Sequence, residues 1–134
     1  VTRHEDAMSV LREVDVVSLH TNLTDETRHL INRDSLAAMK NSAWLINTSR
    51  GELVDTDAIV AALDAGSLAG YVTDVLDEEP PRPDHPLLKH PKAIVTPHIG
   101  SRTYESVPRQ AMRATTNLVN FLSGEGEFLQ ANKF

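Results

Sequence analysis

The chain has 134 residues, 40% of them apolar and 24% charged, with no cysteine and a formal net charge of −6. These fractions are those of a globular domain long enough to bury a core; the missing cysteines exclude a disulfide framework, a thiolate metal site and a cysteine nucleophile, and the acidic balance argues against nucleic acid as the main partner. No apolar run approaches a membrane span, and the start at Val1, with neither an initiator methionine nor a basic-then-apolar leader, predicts a chain entered partway through.

Residues 4–13 predict a helix, with Ala7, Val10, Leu11 and Val14 on one stripe, and the β-branched run 15–20 predicts a buried strand. Residues 24–27 open a short helix with an acidic first turn, and 33–40 predict another. A second strand falls at 43–47. Residues 55–65 form an amphipathic helix with Ile59, Val60 and Leu63 inward and Gly66 as its stop. The third strand spans 70–75 and the fourth 93–96. Residues 103–123 predict the longest helix, with Val107, Ala111, Ala114, Leu118 and Leu122 at spacings of three and four and Pro108 in its first turn. Between the last two strands, residues 76–92 have no periodicity and carry Pro80, Pro81, Pro83, Pro86 and Pro91. Fixed φ angles exclude a helix there, and a stiff, long, ordered loop inside a domain predicts a functional segment rather than a linker.

Strands alternating with helical segments predict a parallel sheet with helices on its faces. In such a sheet all strands finish at one edge, where ligands bind. After the first strand comes His20-Thr21-Asn22, after the second Thr48-Ser49-Arg50-Gly51; the third ends in Asp74, and the fourth runs into Pro97-His98-Ile99-Gly100-Ser101. Asn, Asp and Gly are ordinary turn residues, but an Arg and a His at two separate ends point to an active-site edge. Taken singly, Arg50 also reads as a partner for a surface carboxylate, Asp74 as a loop cap and His98 as a satisfied structural histidine. His4, His29, His85 and His90 read as solvated surface residues, and no histidine pair has metal-ligand spacing.

The segments 46–51, 74–80 and 96–100 resemble the three signature segments of the D-isomer-specific 2-hydroxyacid dehydrogenases, and 17–24 with Glu26-Thr27 resembles a fourth. The resemblance covers nearly the whole chain in order. It implies an α/β fold, a partial Rossmann-type doubly wound parallel sheet of about four strands flanked by helices. These would centre on 15–19, 44–47, 70–74 and 93–96 in sequential order. The resemblance makes residues 1–134 the C-terminal part of a dinucleotide-binding domain. It implies Arg50 as the group that holds the substrate carboxylate and polarises its C2 oxygen, since the guanidinium fork meets a carboxylate with two parallel hydrogen bonds. It implies His98 as general acid/base and Glu79, rather than Glu78, as the carboxylate that fixes the imidazole. Asp74 would accept a hydrogen bond from the nicotinamide carboxamide of NAD or NADP. Thr48, Ser49, Arg50 and the backbone of His98, Gly100 and Ser101 would line the same cofactor, with Thr21 on the adenosine side.

Two departures stand out. Asn22 replaces a common proline, and no G-x-G-x-x-G occurs, so the pyrophosphate cradle and the residue that selects NAD or NADP are expected upstream, with the start of a substrate domain. The implied activity is hydride transfer to or from a small D-2-hydroxy or 2-keto acid, by a cytoplasmic homodimer as full-length protein, with neither nucleic acid nor membrane as partner. Glycerate, phosphoglycerate, glyoxylate and lactate-type substrates all remain open; formate is disfavoured because the formate-oxidising relatives generally carry Gln at the position of Glu79. A dinucleotide-sensing corepressor-like module and an inactive truncated remnant are the alternatives. The first strand is expected to have a bare edge and the isolated chain to self-associate and lack activity.

Overall fold

The computed structural model describes residues 2–129 and divides after His98 into two compact units. The first carries α1 (Ala7–Glu13), β1 (Val16–Leu19), α2 (Arg33–Ala38), β2 (Trp44–Asn47), α3 (Thr56–Ala65), β3 (Gly70–Thr73) and β4 (Ala93–Val95), with 3-10 turns at Gly51–Leu53 and Pro86–Lys89. The second carries α4 (Ser106–Ser123).

The strands are parallel and lie in the order β1-β2-β3-β4, as the sequence predicts. Their register aligns Val17, Leu45 and Tyr71 in one row and Leu19, Asn47 and Thr73 in the next. Side chains alternate along a strand, so both rows share one face, and that face is buried together with Ile59 and Leu63 of α3. On the other face Val16, Trp44 and Ile94 are partly exposed. Trp44 pairs with Gly70, and a Cβ on Gly70 would sit 2.3 Å from the indole, so the ring occupies the space that any side chain would need.

Caps set the helix ends. Asp6 accepts the Ser9 N–H at 2.8 Å, which starts α1 at Ala7 rather than at residue 4. Asn32 and Ser35 form a reciprocal capping box at α2. Asp55 accepts the Ala58 N–H at 3.1 Å at the start of α3, and Gly66, at φ 71°, ends it as expected.

Three expectations are corrected. Residues 24–27 make a turn, not a helix. The Thr27 hydroxyl accepts the Thr24 N–H and donates to Asn22 O, each at 2.7 Å, offering the backbone a non-helical alternative. His29, at φ 52°, then turns the chain so that its N–H reaches Glu52 O at 2.9 Å. The proline-rich loop holds one 3-10 turn, Pro86–Lys89, with proline at a position where no N–H is needed. In the second unit α4 begins at Ser106, because Thr103 and Ser106 exchange side-chain bonds with each other's N–H groups (2.9 and 3.1 Å); none of its residues is buried.

Candidate active site

The edge of the sheet is built from the last residue of each strand. Asn47, wholly buried at the end of β2, accepts the Ser49 N–H through Oδ1 (3.0 Å) and donates from Nδ2 to Arg50 O (2.8 Å), which wraps the 48–50 turn around one side chain. Ser49 Oγ donates to Leu19 O at 2.8 Å and ties this turn to the end of β1. Thr48 is exposed, and so is Arg50, whose Nη1 rests on Ser49 O at 2.7 Å. Arg50 lines a recess with His20, Thr21, Asn22, Leu23 and Ser49. The following residue, Gly51, packs on the loop that leaves β3: a Cβ there would lie 2.0 Å from Leu76 C and 2.3 Å from Asp77 N. The Arg50 turn is therefore seated directly on the start of the Glu79 loop.

Beyond β3, Asp74 donates its N–H to Asn47 O (3.0 Å) and accepts the Thr96 hydroxyl on Oδ1 (2.5 Å). Glu79 spreads its two oxygens, Oε1 accepting the Leu76 N–H at 3.0 Å and Oε2 lying 2.6 Å from His98 Nδ1. An ionised carboxylate only accepts, so the Nδ1 proton belongs to this bond and Nε2 is the nitrogen left for exchange. Burial pushes the Glu79 carboxyl up, but the hydrogen bonds from His98 and the Leu76 N–H, with the attraction of the imidazolium, outweigh it and hold the group below its ordinary value. His98 itself takes a left-handed φ of 51°, a conformation that costs a non-glycine residue on the order of 1 kcal/mol and that clusters at functional sites. Asp74, Glu79 and His98 meet in one cleft of about 290 Å³, whose apolar wall includes Leu76, Pro80, Val95 and Pro97.

Thus the structure joins Glu79, His98 and Asp74 in one cleft and groups Thr21, Ser49 and Arg50 in a separate recess that shares no lining residue with it. Gly100 and Ser101 belong to the second unit, where the Ser101 carbonyl accepts from Ser106 Oγ and Gln110 Nε2. His29 is exposed, and His4 and His90 are half-buried. His85 contradicts the surface expectation outright, being only 3% exposed. Its Nε2 is 3.0 Å from Asp77 Oδ1 and its Nδ1 accepts the Leu87 N–H at 3.3 Å. No group of three or more potential metal ligands occurs among the described residues. Sequence reasoning missed Asn47 and Thr96 as builders of the edge; a strand-final Asn before Thr-Ser was the available signal for the first.

The family model for the D-isomer specific 2-hydroxyacid dehydrogenase NAD binding domain matches residues 1–100. The chain belongs to this family. It is 48% identical over 120 residues to a glyoxylate reductase of Thermofilum pendens, covering 90% of this chain and 35% of that relative. It is 42% identical over 125 residues to glyoxylate/hydroxypyruvate reductase B of Escherichia coli, covering 93% of this chain and 39% of that one. Among solved structures, the NAD-complexed D-isomer specific 2-hydroxyacid dehydrogenase of Lactobacillus delbrueckii ssp. bulgaricus superposes with a TM-score of 0.83 at 36% identity, over 91% of this chain and 41% of that one. The chain thus spans well under half the length of these members of the family.

The NAD binding domain of such a dehydrogenase must hold a flat nicotinamide ring with a carboxamide. The cleft fits that group: an apolar wall lies beside a nearly buried carboxylate, Asp74, able to accept from an amide N–H.

Proposed function

We propose that this chain supplies the catalytic end of an NAD(P)-dependent reductase that converts small 2-keto acids, glyoxylate and hydroxypyruvate foremost, to D-2-hydroxy acids. The observation that carries this reading is the 2.6 Å Glu79–His98 bond at the carboxyl edge of the sheet, in the cleft that also holds Asp74. Bound nicotinamide dinucleotide supplies the hydride at C2 of the keto acid. Asp74 would accept from the dinucleotide's carboxamide, and Thr48, Ser49 and Thr21 would flank the remainder. His98 in its imidazolium form gives the Nε2 proton to the C2 oxygen as that oxygen gains charge, while Nδ1 stays on Glu79. Glu79 remains ionised at neutral pH because its carboxyl is held below its ordinary value, so it favours the imidazolium and keeps the ring in one orientation. Arg50 leaves Ser49 O and turns its fork to the substrate carboxylate, which anchors the keto acid with C2 toward His98. In the reverse direction neutral His98 takes the hydroxyl proton back at Nε2.

The polypeptide as its cell makes it is the object to assay, with the 134-residue chain beside it. With NADH or NADPH and hydroxypyruvate, the polypeptide should form D-glycerate, read by chiral chromatography, and the 134-residue chain should show little or no turnover. Formation of the L isomer, or no consumption of either reduced cofactor, contradicts the proposal. Negligible turnover together with recovery of transcription factors in a pulldown would point instead to a dinucleotide-sensing module.

A further inference from the structure

His85 is buried, lies outside the cleft and takes no part in the proton transfer described above, yet both of its ring nitrogens are engaged. The Leu87 N–H is a donor, so Nδ1 must be the acceptor, and the ring proton of neutral His85 is confined to Nε2. That proton points at Asp77 Oδ1, 3.0 Å away. The backbone nitrogen of Asp77 lies against Gly51. Two residues further on is Glu79, whose Oε1 is held by the Leu76 N–H, on the other side of Asp77. Residues 76–79 thus form a short bridge: one end carries the carboxylate that touches His98, and its middle is held by the His85 ring. The prolines at 80, 81 and 83 stiffen the chain between Glu79 and His85.

We infer that His85 is a positioning residue for the acid/base pair: through Asp77 it holds the 76–79 bridge where the Glu79 carboxylate can stay bonded to His98 Nδ1. This rests on the proposed Glu79–His98 pair and deepens it. A buried histidine that merely filled space would need no donor contact to Asp77, and a mere cap for Leu87 would need only an acceptor. His85 supplies both, and the donor side is directed at the segment that carries Glu79. The bond is short of solvent on the histidine side, so water cannot readily replace it.

The test reads the tautomer of His98 in the full 134-residue chain, from the ring nitrogen shifts in a 15N–1H correlation spectrum at a pH where His98 is neutral. In the wild type the proton should sit on Nδ1. Glu79→Ala should move it toward Nε2. His85→Asn keeps an acceptor for the Leu87 N–H but cannot reach Asp77, and it should produce at least half of the Glu79→Ala change. Asp77→Ala breaks the same bond from its exposed end and should act in the same direction, so the inference stands or falls even where His85→Asn does not fold. Asp77→Asn, which keeps Oδ1 as acceptor, should stay near the wild type. A wild-type His98 tautomer in folded Asp77→Ala or His85→Asn, beside a shifted one in Glu79→Ala, would overturn the positioning role and leave the pair intact. An unshifted tautomer in Glu79→Ala would overturn the pair and the positioning role with it.

Discussion

Each oxygen of the Glu79 carboxylate has its own partner, the Leu76 N–H on one side and the His98 ring on the other, so losing its charge weakens two contacts at once. Because the folded-state pKa is depressed, the folded chain binds fewer protons than the unfolded one across the carboxylate range, and stability rises with pH there. The contribution of Glu79 is fully present above its unfolded pKa and is lost as pH falls through its lower folded value. Glu79→Gln should therefore lower the urea midpoint near neutral pH, and the gap to the wild type should close on acidification; a pH-independent gap contradicts the account. Gly51 is the second test at this scale. With Leu76 C only 2.0 Å from where its Cβ would be, Gly51→Ala must push two backbones apart. Overpacking of this kind costs about 1–3 kcal/mol, measurable by chemical unfolding. Arg50, Asp74, Glu79 and His98 were legible because each follows a strand or sits in a motif. His85 was not, because its burial depends on contacts to Asp77 and Leu87 inside a loop with no periodicity, where sequence spacing says nothing about what folds inward.

At the scale of elements, local chemistry and pattern agreed wherever a cap and an apolar stripe coincided. For α3 both ends were readable: Asp55 caps the first turn and Gly66 takes the left-handed stop. Asp55→Ala should cost about 1 kcal/mol in an unfolding titration, whereas Asp55→Asn, which keeps the acceptor, should remain near the wild type. Equal losses in the two variants would remove the cap from the explanation. The segment 24–27 carried the same kind of start signal, but its threonine hydroxyls satisfy neighbouring backbone groups and no apolar stripe follows, so the turn does not propagate. The strand order was legible for a different reason: the family resemblance implied it, and consecutive strands neighbour each other more often than not.

For the whole molecule, β1 lies at one edge of the sheet, paired with β2 alone among the described strands, with Val16 55% exposed. Edges of this kind pair with other chains. Sedimentation of the 134-residue chain should show association that grows with concentration and that Val16→Lys reduces; a monodisperse monomer throughout contradicts this. The chemistry assigned to the cleft is tested most directly by His98→Ala in the polypeptide as its cell makes it, assayed for reduction of glyoxylate or hydroxypyruvate. Loss of the general acid should lower kcat by about a hundred- to ten-thousand-fold, with the KM for the reduced cofactor little changed. A kcat within a few-fold of the wild type would mean that the proton comes from elsewhere and that the Glu79–His98 pair is not the acid/base.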